Sequence, residues 1–243
     1  MLRKGLALLL VSVFLFGCRY TSKVPNDDFI LCLTFDDSCA SVWTNALPIM
    51  QEYGFRGTVF ANSGRIGNQG RLTWAQLDSL KHTFGWEIGG HTLNHEALST
   101  LTYEQARFTI ATDYQNLQSH GLQPVSFATT FGYCPVEYYP LINSFYKNIR
   151  TCFNVSMRQP IERTCVGSFD VINSMSPDVA YGRIAQGMME RENLVVFLFH
   201  DISEQSTTYA TSYHPEDFAR LMHNIESRGI KVMPLSEALD YLD

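Results

Sequence analysis

Basic charge is the first thing this chain is short of. Its 243 residues include 18 Lys and Arg against 24 Asp and Glu, for a net charge of −6 and a pI of about 5.6. So few cations build no basic groove, which excludes nucleic acid as a partner. Long apolar runs are missing too. The longest candidate, ending at Phe16, is roughly a dozen residues and too short to span a bilayer comfortably. Internal repeats, low-complexity segments and a break between domains are absent. There are 6 cysteines. If Cys18 is consumed by processing, Cys32, Cys39, Cys134, Cys152 and Cys165 remain, an odd set that leaves at least one free thiol. Cys32 falls inside a strand-like run and is expected to pack as a small hydrophobe.

What is present is a core. Hydrophobic residues make up 45% of the chain and aromatics 13%. That suits one domain of barrel size. The N-terminus reads Met1-Leu2-Arg3-Lys4, then apolar residues, then Leu15-Phe16-Gly17-Cys18. This has the form of a signal peptide and resembles a bacterial lipoprotein cleavage site. The expected organisation is a signal peptide over 1–17, a polar tether over 18–28 and a single folded domain over 29–243. The chain is then exported and held at the bacterial cell envelope by a lipid on Cys18, so the membrane is a partner through that anchor. The alternative is an uncleaved membrane anchor.

Strand and helix signals alternate along the domain. Strands are expected at 29–35, 57–61, 86–89, 125–129, 151–155, 194–199 and 230–233. Helices are expected at 42–53, 74–81, 103–120, 136–143, 178–190, 215–227 and 236–242. Thr73 and Thr102 sit where N-caps belong, and Gly121 where a helix ends. Such alternation argues for a parallel sheet or barrel.

Three short motifs carry the chemistry: Thr34-Phe35-Asp36-Asp37, His91-Thr92-Leu93-Asn94-His95 and Leu198-Phe199-His200-Asp201. Each lies at the end of a strand-like run, which in a barrel is the mouth. His91 and His95, four apart, would share a face if helical. The double glycine before them suits a site that another group must approach. Asp36 and Asp37 can enter one pocket only if the strand stops at Phe35 and the chain turns, because strand neighbours point to opposite faces. One carboxylate on a metal and one free to take a proton is a workable division of labour. Asp37, His91 and His95 together suit Zn²⁺, with Fe²⁺, Co²⁺ or Ni²⁺ as alternatives. Cys39 and Cys134 flank motif residues, but the set is complete without them. His200, at the end of an apolar strand, is a general-acid candidate.

These motifs resemble those of the polysaccharide deacetylases with a nodulation-protein B homology domain, carbohydrate esterase family 4. The resemblance covers about residue 27 to the C-terminus. It implies a single-domain α/β fold, a distorted (β/α)7 barrel, acting on an acetylated glycan. It also implies Asp36 as general base, Asp37, His91 and His95 as metal ligands, and His200 as general acid. Leu198 would line the acetyl methyl pocket, Thr92 would orient the histidine loop, and the Phe131 N–H would help hold an oxyanion. Two departures stand out. The third motif keeps Phe131-Gly132 but has Thr130 where proline is usual, and no arginine at its expected place. A fourth motif is not evident, although Arg163, Asp170 and Asp178 lie in its interval. An O-acetyl esterase on xylan-like polymers and a metal-retaining, carbohydrate-binding pseudoenzyme stay open as alternatives.

Overall fold

The computed structural model describes residues 29–153, 155, 157–204 and 211–243. The expected signal peptide, the tether and Cys18 lie outside that range.

The apolar run after Phe29 forms β1 (Ile30–Phe35), buried along its whole length. A wide π-helical turn over Val42–Ala46 leads into α1 (Leu47–Gln51). Then follow β2 (Thr58–Ala61), α2 (Trp74–His82), β3 (Glu87–Gly90), α3 (Tyr103–Ser119) and β4 (Ser126–Ala128). After α4 (Tyr139–Asn143) come β5 (Asn148–Arg150), β6 (Phe169–Asp170), α5 (Pro177–Met189) and β7 (Leu194–Phe199). A short pair, β8 (Asp201–Ile202) and β9 (Ser212–Tyr213), precedes α6 (Pro215–Glu226), β10 (Lys231–Val232) and α7 (Leu235–Tyr241). Among the described residues, no helix is long and apolar enough to cross a membrane.

The strands line up as β5-β4-β3-β2-β1-β7-β6, with β10 beside the start of β1. Every pairing in this sheet is parallel. The two ends of the row are stitched together by the segment before β6. Val166 donates to the Ile149 carbonyl (2.9 Å) and Thr151 to the Val166 carbonyl (2.7 Å). The sheet thus curls into a distorted seven-stranded barrel with its helices outside, the architecture expected from the motifs.

Alternation along each strand divides the core. Leu31, Leu33 and Phe35 face outward with Val59, Phe197 and Phe199, and pack against α1, α2, α5 and α6. Ile30 and Cys32 face inward with Phe60, Leu194 and Val196, where α7 plugs one end of the barrel with Leu235, Leu239 and Leu242. A third cluster seats α3 and α4 on β4 and β5 through Ile110, Phe127, Ile142 and Ile149.

Sequence and structure differ at three elements. The strand expected at 151–155 lies earlier, at Asn148–Arg150. Its inward residues are polar and find partners inside the barrel. Asn148 bonds Ser126 (3.0 Å) and Arg163 (3.0 Å), and Arg150 reaches Asp36. The β-prone residues that follow form a rim loop with Phe153 44% exposed. The two-residue β6 was not foreseen, being too short for any pattern. The helix expected over 42–53 opens as a π turn. There Ser41 and Asn45 reach across to Asp201 (2.5 Å) and to the Ile202 carbonyl (2.6 Å).

Candidate metal centre and active site

Asp36 and Asp37 follow the last residue of β1, and the chain turns there as two pocket-facing carboxylates require. Asp37 (φ 68°) and Ser38 (φ 54°) both adopt left-handed backbone. Thr92 (φ 61°), His95 (φ 64°) and Phe131 (φ 53°) do the same in the neighbouring loops. These five are most of the seven non-glycine residues with positive φ in the described chain. Such conformations cost free energy each and persist where surrounding bonds hold them.

The histidine pair is not helical. It lies on an irregular loop after β3, turned twice by the left-handed residues. Two elements clamp the loop from behind. The Asn62 side chain donates to the His91 carbonyl and to the Thr92 carbonyl (3.2 Å). Asp113, fully buried on α3, accepts from the backbone N–H groups of His91 (3.1 Å) and Ser63 (2.8 Å). Burial raises the Asp113 carboxyl to about 7, against the pull of those donors. Thr92 accepts from the Glu96 N–H (3.0 Å), the orienting bond expected of it, and Thr109 accepts from the Leu93 N–H (2.9 Å). Gly90 is required here, since a Cβ would lie 2.1 Å from the Tyr146 hydroxyl oxygen.

Asp37, His91 and His95 converge. One donor atom from each lies within 4.8 Å of the others. His95 Nε2 is 3.2 Å and His91 Nε2 3.6 Å from Asp37 Oδ1, a buried oxygen without a hydrogen bond. His91 Nδ1 bonds the Ala128 carbonyl (2.8 Å), so it carries the proton and leaves Nε2 free as a ligand. Burial holds the His91 imidazole below its ordinary value, although Asp36 and Asp37 pull the other way. Burial and the neighbouring His91 push His95 down to about 4. Two neutral imidazoles and an unsatisfied carboxylate oxygen fit a divalent metal. Cys39 and Cys134 do not add to the set. Burial pushes both thiols up to about 12, and a protonated thiol is a poor ligand.

Asp36 is buried with its carboxylate against the guanidinium of Arg150, also buried, from the end of β5. Burial alone would raise the Asp36 carboxyl. Arg150, with His91 and His200, outweighs it and holds the group below its usual value. Arg150 also lies over the Phe60 ring, 5.1 Å from its centroid. The sequence reading missed this residue. Its only local signal is a cation between Ile149 and Thr151 at the end of a short strand.

Asp36, Asp37, His91 and His95 line one cavity of about 340 Å³ with Phe131, Asp170, Leu198 and His200. Every expected site residue in the described chain therefore meets at one end of the barrel. Leu198 is 2% exposed, an apolar wall, whereas Phe131 is 69% exposed with its ring 4.5 Å from that of His95. Thr130 ties this loop to the histidine loop by donating to the Glu96 carbonyl (2.6 Å). Asp170, at the end of β6, faces both His200 and Arg150 electrostatically. Burial raises its carboxyl, and His200 and Arg150 oppose the rise. Arg163 lies elsewhere, pairing with Asp240 and Asp243.

A family model described as polysaccharide deacetylase matches residues 23–143. A Bacillus subtilis protein named as a polysaccharide deacetylase, YxkH, is 32% identical over 89 residues, covering 37% of this chain and 31% of that protein. A peptidoglycan-N-acetylglucosamine deacetylase of Bacillus cereus is 28% identical over 114 residues, covering 46% of this chain and 51% of that protein. The match thus spans from about a third to about half the length of these relatives. Among solved structures, a family 4 acetyl xylan esterase from Clostridium thermocellum, in complex with a cobalt ion, superposes with a TM-score of 0.63 at 19% identity. It covers 87% of this chain and 90% of that one.

Proposed function

The chain belongs to the polysaccharide deacetylase family, and from that membership we propose that it is a metal-dependent hydrolase removing acetyl groups from an acetylated glycan, with N-acetyl sugars as substrate. The observation that carries this reading is the convergence of Asp37, His91 and His95 beside Asp36 and His200 in one cavity. Asp37, His91 and His95 would hold the ion, zinc first, with cobalt, nickel or iron as substitutes. When bound, such an ion polarises the acetyl carbonyl and makes a water molecule more acidic.

The protein's own groups do the rest. Asp36 accepts a proton from the attacking water, and Arg150 keeps its carboxylate ionised and fixed for that task. The Phe131 N–H donates to the oxyanion that develops on the carbonyl. His200 gives a proton to the departing amine, with Asp170 beside it in the same cavity. Leu198 supplies an apolar wall for the methyl group. Water is consumed, acetate leaves, and the sugar keeps a free amine.

The test is acetate release from a panel of N- and O-acetylated oligosaccharides by the metal-replete protein. We expect release from N-acetyl sugars and its loss in His95→Ala together with bound metal. Release from O-acetylated xylan alone would make the protein an esterase. Glycan binding without any release would make it a pseudoenzyme.

Export with a lipid anchor at Cys18 completes the proposal, placing the domain at the cell envelope where an acetylated glycan is met. It is supported by Leu15-Phe16-Gly17-Cys18 and the basic residues before the apolar run. A lipoprotein carries at least two acyl chains, enough for stable attachment. Cys18→Ser, made in a bacterial host with lipoprotein machinery, should leave the detergent phase while the barrel stays folded. A wild-type mature protein starting well beyond Cys18 would refute the anchor.

A further inference from the structure

A second cavity, of about 430 Å³, opens beside the first. It shares Asp37, His200 and Thr211 with the reaction cavity, and Gln69, Arg71 and Ser203 are among its other walls. Its size falls within the roughly 300–1,000 Å³ of ligand pockets. Because the shared residues include a proposed metal ligand and the proposed general acid, whatever fills it adjoins the reacting group. In a polymeric substrate that neighbour is the next sugar.

The wall is built rather than incidental. Backbone bonds stitch the loop before α2 onto the turn after β1. Ala40 donates to the Gly70 carbonyl (2.9 Å) and Leu72 to the Ser38 carbonyl (2.8 Å). Arg71 Nη1 is tied to the Asp37 carbonyl (2.7 Å) and the Cys39 sulfur (3.4 Å). Among the described residues no carboxylate pairs with this guanidinium, and its other nitrogens have no hydrogen-bond partner. The nearby acid does not pair with it. Asp201, also in the wall, already accepts from Ser41 at Oδ1 (2.5 Å) and from Ser203 at Oδ2 (2.6 Å). The cavity therefore presents a fixed fork of unused donors, the geometry that suits a carboxylate in two-point contact.

We propose that this second cavity is the subsite for the sugar adjoining the acetylated one, and that Arg71 makes it select a sugar bearing a carboxylate. The inference rests on the deacetylase reading of the neighbouring cavity. Two sources supply that chemistry, the ring carboxylate of a uronic acid and the carboxylate of a lactyl ether on an amino sugar.

The experiment compares three oligosaccharides of equal length on the full, metal-replete protein. One is a neutral N-acetylglucosamine oligomer. One alternates N-acetylglucosamine with a uronic acid. One alternates it with a lactyl-ether sugar freed of peptide. At low salt at least one acidic oligomer should show a KM about tenfold below the neutral one, the scale of one charge-assisted contact. Which one it is identifies the source. The ratio of KM values should shrink toward one at high salt and in Arg71→Gln, with kcat on each substrate shifting far less. Arg71→Lys should keep part of the ratio. Reading a ratio removes any loss shared by all three substrates, including disturbance of Asp37. Equal KM values in the wild type would overturn the proposal while leaving the deacetylase reading intact, and so would a preference that survives in Arg71→Gln. If no oligomer is turned over, calorimetric titration of the same three decides. Tighter binding of an acidic oligomer that Arg71→Gln abolishes supports the subsite, and equal or absent binding overturns it.

Discussion

At the residue scale, the division between Asp36 and Asp37 is a matter of partners. Asp37 faces the imidazoles of both His91 and His95, whereas Asp36 has of the two only that of His91 near it (3.7 Å) and is closed in by Arg150. Asp36→Asn should therefore retain metal and lose on the order of 100-fold or more in kcat, the usual scale for a missing general base. A variant near wild-type activity would show the pair assigned the wrong way round. Arg150→Met makes a sharper prediction. It strands a buried carboxylate, which should cost about 3–5 kcal/mol of stability at neutral pH. The sign with pH follows from the depressed Asp36 carboxyl. Its contribution is present above the unfolded value of roughly 3.9 and fades as pH falls through the lower folded value. Without Arg150, burial dominates and the carboxyl rises. Whatever activity remains should then have its acidic limb at higher pH than in wild type, and a rate profile against pH checks it. An unmoved limb would remove Arg150 from the mechanism. The motif residues were legible in the sequence because each sits where a strand-like run stops. Arg150 was not, because its partner is 114 positions away and only barrel closure joins them.

At the scale of elements, local chemistry and tertiary context were unequally readable. Thr73 and Thr102 were marked as caps, and both form reciprocal capping boxes, with Gln76 and Gln105. Thr102→Ala should cost about 1 kcal/mol, measurable by chemical denaturation with the slope unchanged. A null effect would mean that α3 is held by its packing on β4 and β5 alone. The histidine loop teaches the opposite lesson. Spacing of four suggested a helical face, yet Thr92 and His95 are left-handed and the loop is shaped by Asn62 and Asp113. Nothing within the five residues of the motif specifies those clamps. The displaced β5 has a similar cause. Asn148 and Arg150 lower its apparent strand character, and only the barrel interior offers them partners.

At the scale of the whole molecule, the alternating pattern pointed to a parallel sheet, and the motifs at strand ends pointed to one mouth. The curled sheet and the shared cavity realise both. The strand count did not follow from alternation, since β6 is two residues long and β10 pairs only with the start of β1. We propose that this mouth is a metal-dependent deacetylase site. The decisive measurement is acetate release from N-acetylated oligosaccharides by the full protein before chelation, after chelation and after return of Zn²⁺ or Co²⁺. Acetate is expected from the untreated protein, none after chelation, and recovery with about one ion per chain in the wild type but not in His95→Ala. Metal-replete protein that releases no acetate from any N-acetylated glycan would contradict it, as would release that persists after the metal is gone.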